Sequence, residues 1–125
     1  MRQVVRVSMR ASRNGGAVVC ERCELATSSW ARMRGLLGRR ALDPRQGLMI
    51  WPAFAIHMFF MRFPIDAIFL DSDLSVIGIR SRLRPWRMAA VRGTTAVLEL
   101  AAGQAERRGV AMGQTVWLEA VGDPR

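Results

Sequence analysis

Apolar and polar residues succeed one another along this chain in short runs bounded by glycine, asparagine or proline, the pattern of brief strands joined by turns. Residues 3–9 alternate imperfectly, Arg13-Asn14-Gly15-Gly16 tolerates positive φ, and residues 17–25 are extended again. This predicts an opening β-hairpin. Thr27 is placed to cap a short helix that carries Trp30, Met33 and Leu37 on one face and ends at Gly35 and Gly38. After the turn signal Asp43-Pro44, residues 47–50 form a short apolar strand. Trp51-Pro52-Ala53 interrupts it, and extended chain resumes at Phe54.

The second half is patterned more firmly. Residues 65–70 are strand-like, Asp71-Ser72-Asp73 is a turn and residues 74–79 return with β-branched side chains, which predicts a second hairpin. A loop over 83–87, a strand over 94–100, a turn or brief helix over 102–108 and a closing strand over 115–121 complete the series. Many short strands with little helix predict a mainly β fold: a small jelly-roll-like β-sandwich or barrel with one or two short helices. The 125 residues fit one domain, 1–125, with a single core.

Composition agrees with a globular domain, since half the residues are apolar and 23% are charged. Polar residues interrupt the N-terminus too often for a secretory signal, and the most apolar run, 47–61, contains Pro52 and His57 and falls short of the roughly 20 residues of a membrane helix. The expectation is a cytoplasmic protein without a membrane partner. The formal charge is +9, and every basic residue is arginine. A total absence of lysine points to coding bias rather than to arginines chosen for bidentate recognition. The arginines are also dispersed, as at Arg10, Arg45, Arg80 and Arg107, which argues against a nucleic-acid arm.

Candidate chemistry is sparse. Cys20-Glu21-Arg22-Cys23 has the spacing of a metal knuckle or redox dithiol, but with no second cysteine pair and one histidine the chain lacks a four-ligand zinc set. The cysteines fall within a strand, where residues three apart face opposite sides, so they read as incidental, with one of them buried. His57, the sole histidine, is the natural general base to test, although its apolar neighbours equally fit a structural histidine. Asp66 and Glu99 each sit inside an apolar strand, where an unpaired charge is expensive. Arg34 and Arg39, flanking Gly35-Leu36-Leu37-Gly38, are candidate partners for these acids, either locking the fold or forming a site. Met58 and Met61 beside Phe59, Phe60 and Phe63 read first as core. Trp51 and Trp86, in proline-containing loops, could anchor a partner or cover the core edge.

Several segments in order resemble the domain of unknown function 192 family, also called uncharacterised protein family 0127. They are Arg34-Gly35-Leu36-Leu37-Gly38-Arg39, Gly47-Leu48-Met49, the stretch Ile56-His57-Met58-Phe59-Phe60-Met61-Arg62-Phe63-Pro64-Ile65-Asp66-Ala67-Ile68-Phe69-Leu70-Asp71, Leu98-Glu99-Leu100-Ala101-Ala102-Gly103, and Gly109 with Gly113. The resemblance implies a compact β-sandwich or barrel of jelly-roll type over about residues 18–119 and no established activity. It places Arg34, Gly35, Gly38, Arg39, Pro64, Asp66, Glu99 and Gly103 at family positions. Met58 and Phe60 stand where the similar signal-less subgroup has threonine and glycine.

The leading expectation is a non-catalytic binding or accessory domain that uses Arg34, Arg39, His57, Met61, Asp66 and Glu99 to hold a small polar ligand or a protein segment, with no catalytic residue, metal or cofactor. One alternative is a hydrolase or transferase based on His57, Asp66 or Glu99. A second is a basic nucleic-acid-binding module. The oligomeric state is left open.

Overall fold

The computed structural model describes residues 3–9, 17–28, 32 and 35–121. Among the elements that lie wholly within these residues are nine strands and one short helix: β1 (Val4–Met9), β2 (Val18–Ala26), β3 (Gln46–Ile50), β4 (Ala55–His57), β5 (Ile65–Leu70), β6 (Val76–Leu83), β7 (Met88–Ala90), β8 (Ala96–Ala101), α1 (Gln104–Arg107) and β9 (Val116–Ala120). Both expected hairpins form, β1 with β2 and β5 with β6, each antiparallel. At the second turn Asp71 Oδ1 accepts from the amides of Asp73 and Ser75, at 2.9 Å each. Strand β7 was not expected, because its run Met88-Ala89-Ala90 is too short to show a period. The turn of the first hairpin and most of the helix expected after Thr27 fall outside the described residues.

Seven strands form one sheet in the order β6-β5-β8-β3-β2-β1-β9, and β4 and β7 make a separate two-stranded ribbon. Within the large sheet only β2 and β3 run parallel. A parallel pair needs a crossover, so the connection from β2 to β3 has to leave one end of the sheet and return to the other. In doing so it lays Leu36 and Leu42 on one face. The closed-barrel alternative is not realised: the outer strands β6 and β9 meet only near their starts, through a Ser75–Thr115 bridge.

Two apolar clusters, one on each face of the sheet, form the interior. The first gathers Val7, Val19, Met49, Ile68, Leu98 and Val116, and the second gathers Leu48, Ile50, Ile56, Met58, Phe69 and Val97. Strand β5 is buried at every position, which explains its uninterrupted apolar run. Cys20 and Cys23 both enter the first cluster, contrary to the expectation of opposite faces. Between Val5↔Cys23 and Val7↔Cys20, β2 uses one more residue than β1, and this bulge rephases the strand. Gly47 makes room for Cys20, since a Cβ there would lie 2.8 Å from its Sγ. A hydrogen bond from Cys23 holds the Cys20 thiol below its ordinary value, while the same pairing and burial push Cys23 up.

Candidate functional site

Asp66 and Glu99 lie on adjacent strands but point to opposite faces. Cross-strand partners share a face and successive residues alternate. Asp66 is opposite Leu100 and so faces the first cluster, whereas Glu99 is opposite Ala67 and Leu48 and faces the second.

Asp66 is fully buried and fully used. Its Oδ1 accepts from the Arg82 amide and its Oδ2 from the Ala105 amide, each at 2.8 Å. Both donors are there for local reasons. A bulge between Ile65↔Leu83 and Ala67↔Arg80, with Arg82 at φ 50°, disturbs the β5–β6 ladder where the Arg82 amide donates to Asp66. Ala105 lies in the first turn of α1, where amides have no intrahelical acceptor. Asp66 therefore stitches a bulge to a helix start. Both of these partners are backbone groups, and Arg39, one of the two arginines expected beside it, pairs with Glu24 instead.

Glu99 is 6% exposed and has no hydrogen-bond partner among the described residues. Its carboxyl group opens onto a cleft of about 90 Å³ lined also by Arg32, Leu36, Ile50, His57, Met58 and Met61. Burial pushes its pKa up to about 7, against the opposing pull of Arg39. Arg32 anchors one end of the cleft, donating through Nη1 to the Pro52 carbonyl at 3.1 Å. Its Nε is buried and has no hydrogen-bond partner among the described residues. On the ribbon, His57 Nδ1 accepts from the Phe59 amide at 3.3 Å, so the neutral imidazole carries its proton on Nε2.

The structure thus brings His57, Met61 and Glu99 to one cleft. Asp66 is remote from it, on the other face, and Arg34 lies outside the described residues. Arg39 stands beside it, in an ion pair with Glu24 at 2.8 Å that borders a second recess of about 110 Å³. Glu24, Leu48 and Glu99 follow one another across the sheet, which is how Arg39 comes to act on both acids. Sequence reasoning missed Arg32 and Glu24, because an arginine after a cap and an acid in a half-exposed strand look like ordinary surface positions. No hydroxyl or thiol lines the cleft among the described residues, and these hold no cluster of three His, Cys, Asp or Glu side chains suited to a metal.

Among solved structures, a protein of unknown function from Novosphingobium aromaticivorans superposes with a TM-score of 0.79 at 30% identity, covering 91% of this chain and 84% of the other. A candidate transcription regulator from Sinorhizobium meliloti gives a TM-score of 0.82 at 25% identity, covering 94% and 95%. A UPF0127 protein of Thermococcus sibiricus is 36% identical over an alignment of 93 residues that covers 68% of this chain and 57% of the relative's length. The model of the family DUF192, described as Uncharacterized ACR, matches residues 10–118, and with that span covering most of the nine-stranded fold the chain belongs to the DUF192 family.

Proposed function

We propose that this protein is a non-catalytic binding domain of the cytoplasm whose cleft holds a small polar ligand, or the polar side chain of a protein segment, between Arg32, His57 and Glu99. The observation that carries this reading is the buried Arg32 Nε, which has no hydrogen-bond partner among the described residues and lines the same small cleft as the buried Glu99. Leaving a buried donor without a partner costs about 1–3 kcal/mol, so a folded protein that keeps one beside a buried acid favours a molecule that satisfies the donor and also meets the acid. That molecule needs an acceptor for Arg32 Nε–H and a donor for Glu99 side by side. A primary amide has this arrangement, and His57 Nε2–H offers a second donor to its oxygen. About 90 Å³ corresponds to roughly three waters' share of liquid volume, enough for a terminal carboxamide.

Thermal unfolding in the presence of acetamide, propionamide, acetate and methylammonium tests the reading. The expected outcome is a rise in midpoint with the amides that disappears in Glu99→Leu and in Arg32→Met. If no probe raises the midpoint of the intact protein, or if the rise persists in both variants, the cleft is not the site.

A further inference from the structure

Beside the cleft, on the outer side of the β4–β7 ribbon and the loops leaving it, large apolar side chains stand in solvent. Phe60 is 72% exposed, Met88 68% and Trp86 59%. They form one patch: the rings of Phe60 and Trp86 are 4.8 Å apart, Phe59 is 6.0 Å from Trp86, and Met88 is paired across the ribbon with His57. The exposure is built into the backbone. The Met58 amide donates to the Arg87 carbonyl and the Trp86 amide to the Met58 carbonyl, both at 2.7 Å, which ties the two loops together. Phe60 and Trp86 have φ of 63° and 69°, a left-handed conformation that is uncommon for aromatic residues and is retained mainly where surrounding structure imposes it.

The segments that carry the patch are basic. The stretches that build the patch, 54–63 and 80–92, contain Arg62, Arg80, Arg82, Arg84, Arg87 and Arg92 and no acid. Arg62, Arg84 and Arg87 are exposed next to the apolar members. Aromatic residues ringed by arginine suit a phase that is apolar beneath an anionic surface.

We propose that this patch docks the protein onto an anionic lipid surface, with Phe60, Trp86 and Met88 entering the boundary between headgroups and acyl chains and Arg62, Arg84 and Arg87 meeting lipid phosphates. The three apolar side chains offer on the order of 400 Å², judged from 150–250 Å² per aromatic side chain. That is half the ~800 Å² per partner of a stable protein interface, which disfavours a second copy of the chain. A nucleic-acid stacking platform would present ring faces, and here a thioether, Met88, holds one of the most exposed positions. The proposal departs from the sequence-based expectation of no membrane partner; no helix among the described residues is long and apolar enough to cross a membrane, and docking from loops requires none. The proposal is independent of what the cleft binds.

Co-sedimentation at low salt with vesicles of phosphatidylglycerol and phosphatidylcholine, against vesicles of phosphatidylcholine alone, tests it. The full chain is expected to sediment with the anionic vesicles only, and the double variant Phe60→Asn/Trp86→Asn to lose about tenfold in bound fraction. Asparagine accepts the left-handed backbone at both positions, so the unfolding midpoint serves as a check that the fold is kept. Arg84→Gln/Arg87→Gln is expected to weaken binding and flatten its salt dependence. Failure to sediment with anionic vesicles, or undiminished binding by the Asn variant, would overturn the proposal. So would a single-stranded oligonucleotide captured more tightly than vesicles through the same residues, or a dimer that the Asn variant abolishes.

Discussion

Asp66 and Glu99 are two buried acids one residue out of register on neighbouring strands, and they have opposite fates. Asp66 faces the side of the sheet where a bulge and a helix start each present a spare amide, and it is satisfied by both. Glu99 faces the side covered by the crossover and the ribbon, where the neighbours are Leu36, Ile56, Met58 and Met61, and no described group completes its hydrogen bonds. The sheet's alternation therefore separates a structural lock from an acid beside an open cleft over one step of the chain. Burial alone does not mark a functional acid. What marks it is burial without a partner, next to open space.

Breaking the lock is expected to have the largest effect. Asp66→Ala removes two charge-assisted hydrogen bonds and strands two amides, a loss of about 4 kcal/mol in denaturant unfolding. A loss under about 1 kcal/mol would erase the contrast between the two acids. The next effect appears in the pH dependence of Glu99→Gln. Glu99 in the folded state keeps its proton up to about 7, whereas in the unfolded chain it releases it near 4.5. Across that window the folded state binds more protons, so this group's contribution to stability falls as pH rises. The wild type should lose on the order of 3 kcal/mol between pH 4 and pH 8 relative to Glu99→Gln, which lacks the titration. Parallel profiles for the two proteins would mean that Glu99 is solvated after all.

A smaller shift sharpens the cleft's electrostatics. Arg39→Gln removes the charge that opposes Glu99's burial, so the window in which stability falls should extend to higher pH at its upper end. Loss of the half-buried pair with Glu24 should cost about 1 kcal/mol. At the bottom of the scale, Arg6→Gln breaks an exposed 3.5 Å contact with Glu119 and should change stability by less than about 0.5 kcal/mol. If Arg39→Gln proves as mild as Arg6→Gln, the pairing near the cleft is a surface effect only.

Much of the fold was legible because strands with one wet face alternate and turns carry their own chemistry. Asp71, for instance, announces its turn through the two amides it accepts. The parallel β2–β3 pair and the ribbon were not legible. Pairing partners far apart in sequence leave no local period, and three-residue strands are shorter than any window that detects one. Asp66 and Glu99 stood out equally as acids among apolar residues. Deciding between them required knowing which amides a bulge at Arg82 and a helix start at Ala105 would leave open. Cys20 and Cys23 show the same limit: one extra residue in β2 reverses which face a side chain meets, and nothing near it in the sequence signals that.

The single bridge between Ser75 and Thr115 has a consequence for how this protein behaves in a crowded solution. An open seven-stranded sheet ends in two rows of unpaired backbone groups, each able to template another chain. By bringing the starts of β6 and β9 together, the bridge makes each edge occupy the other at one end. Further along β6, Arg80 and Arg82 and the bulge beside them would set like charges and a broken ladder against any incoming copy. Exposed strand edges that would invite fibrils in a flat sheet are thus kept apart from other molecules by curvature at one end and charge along the other.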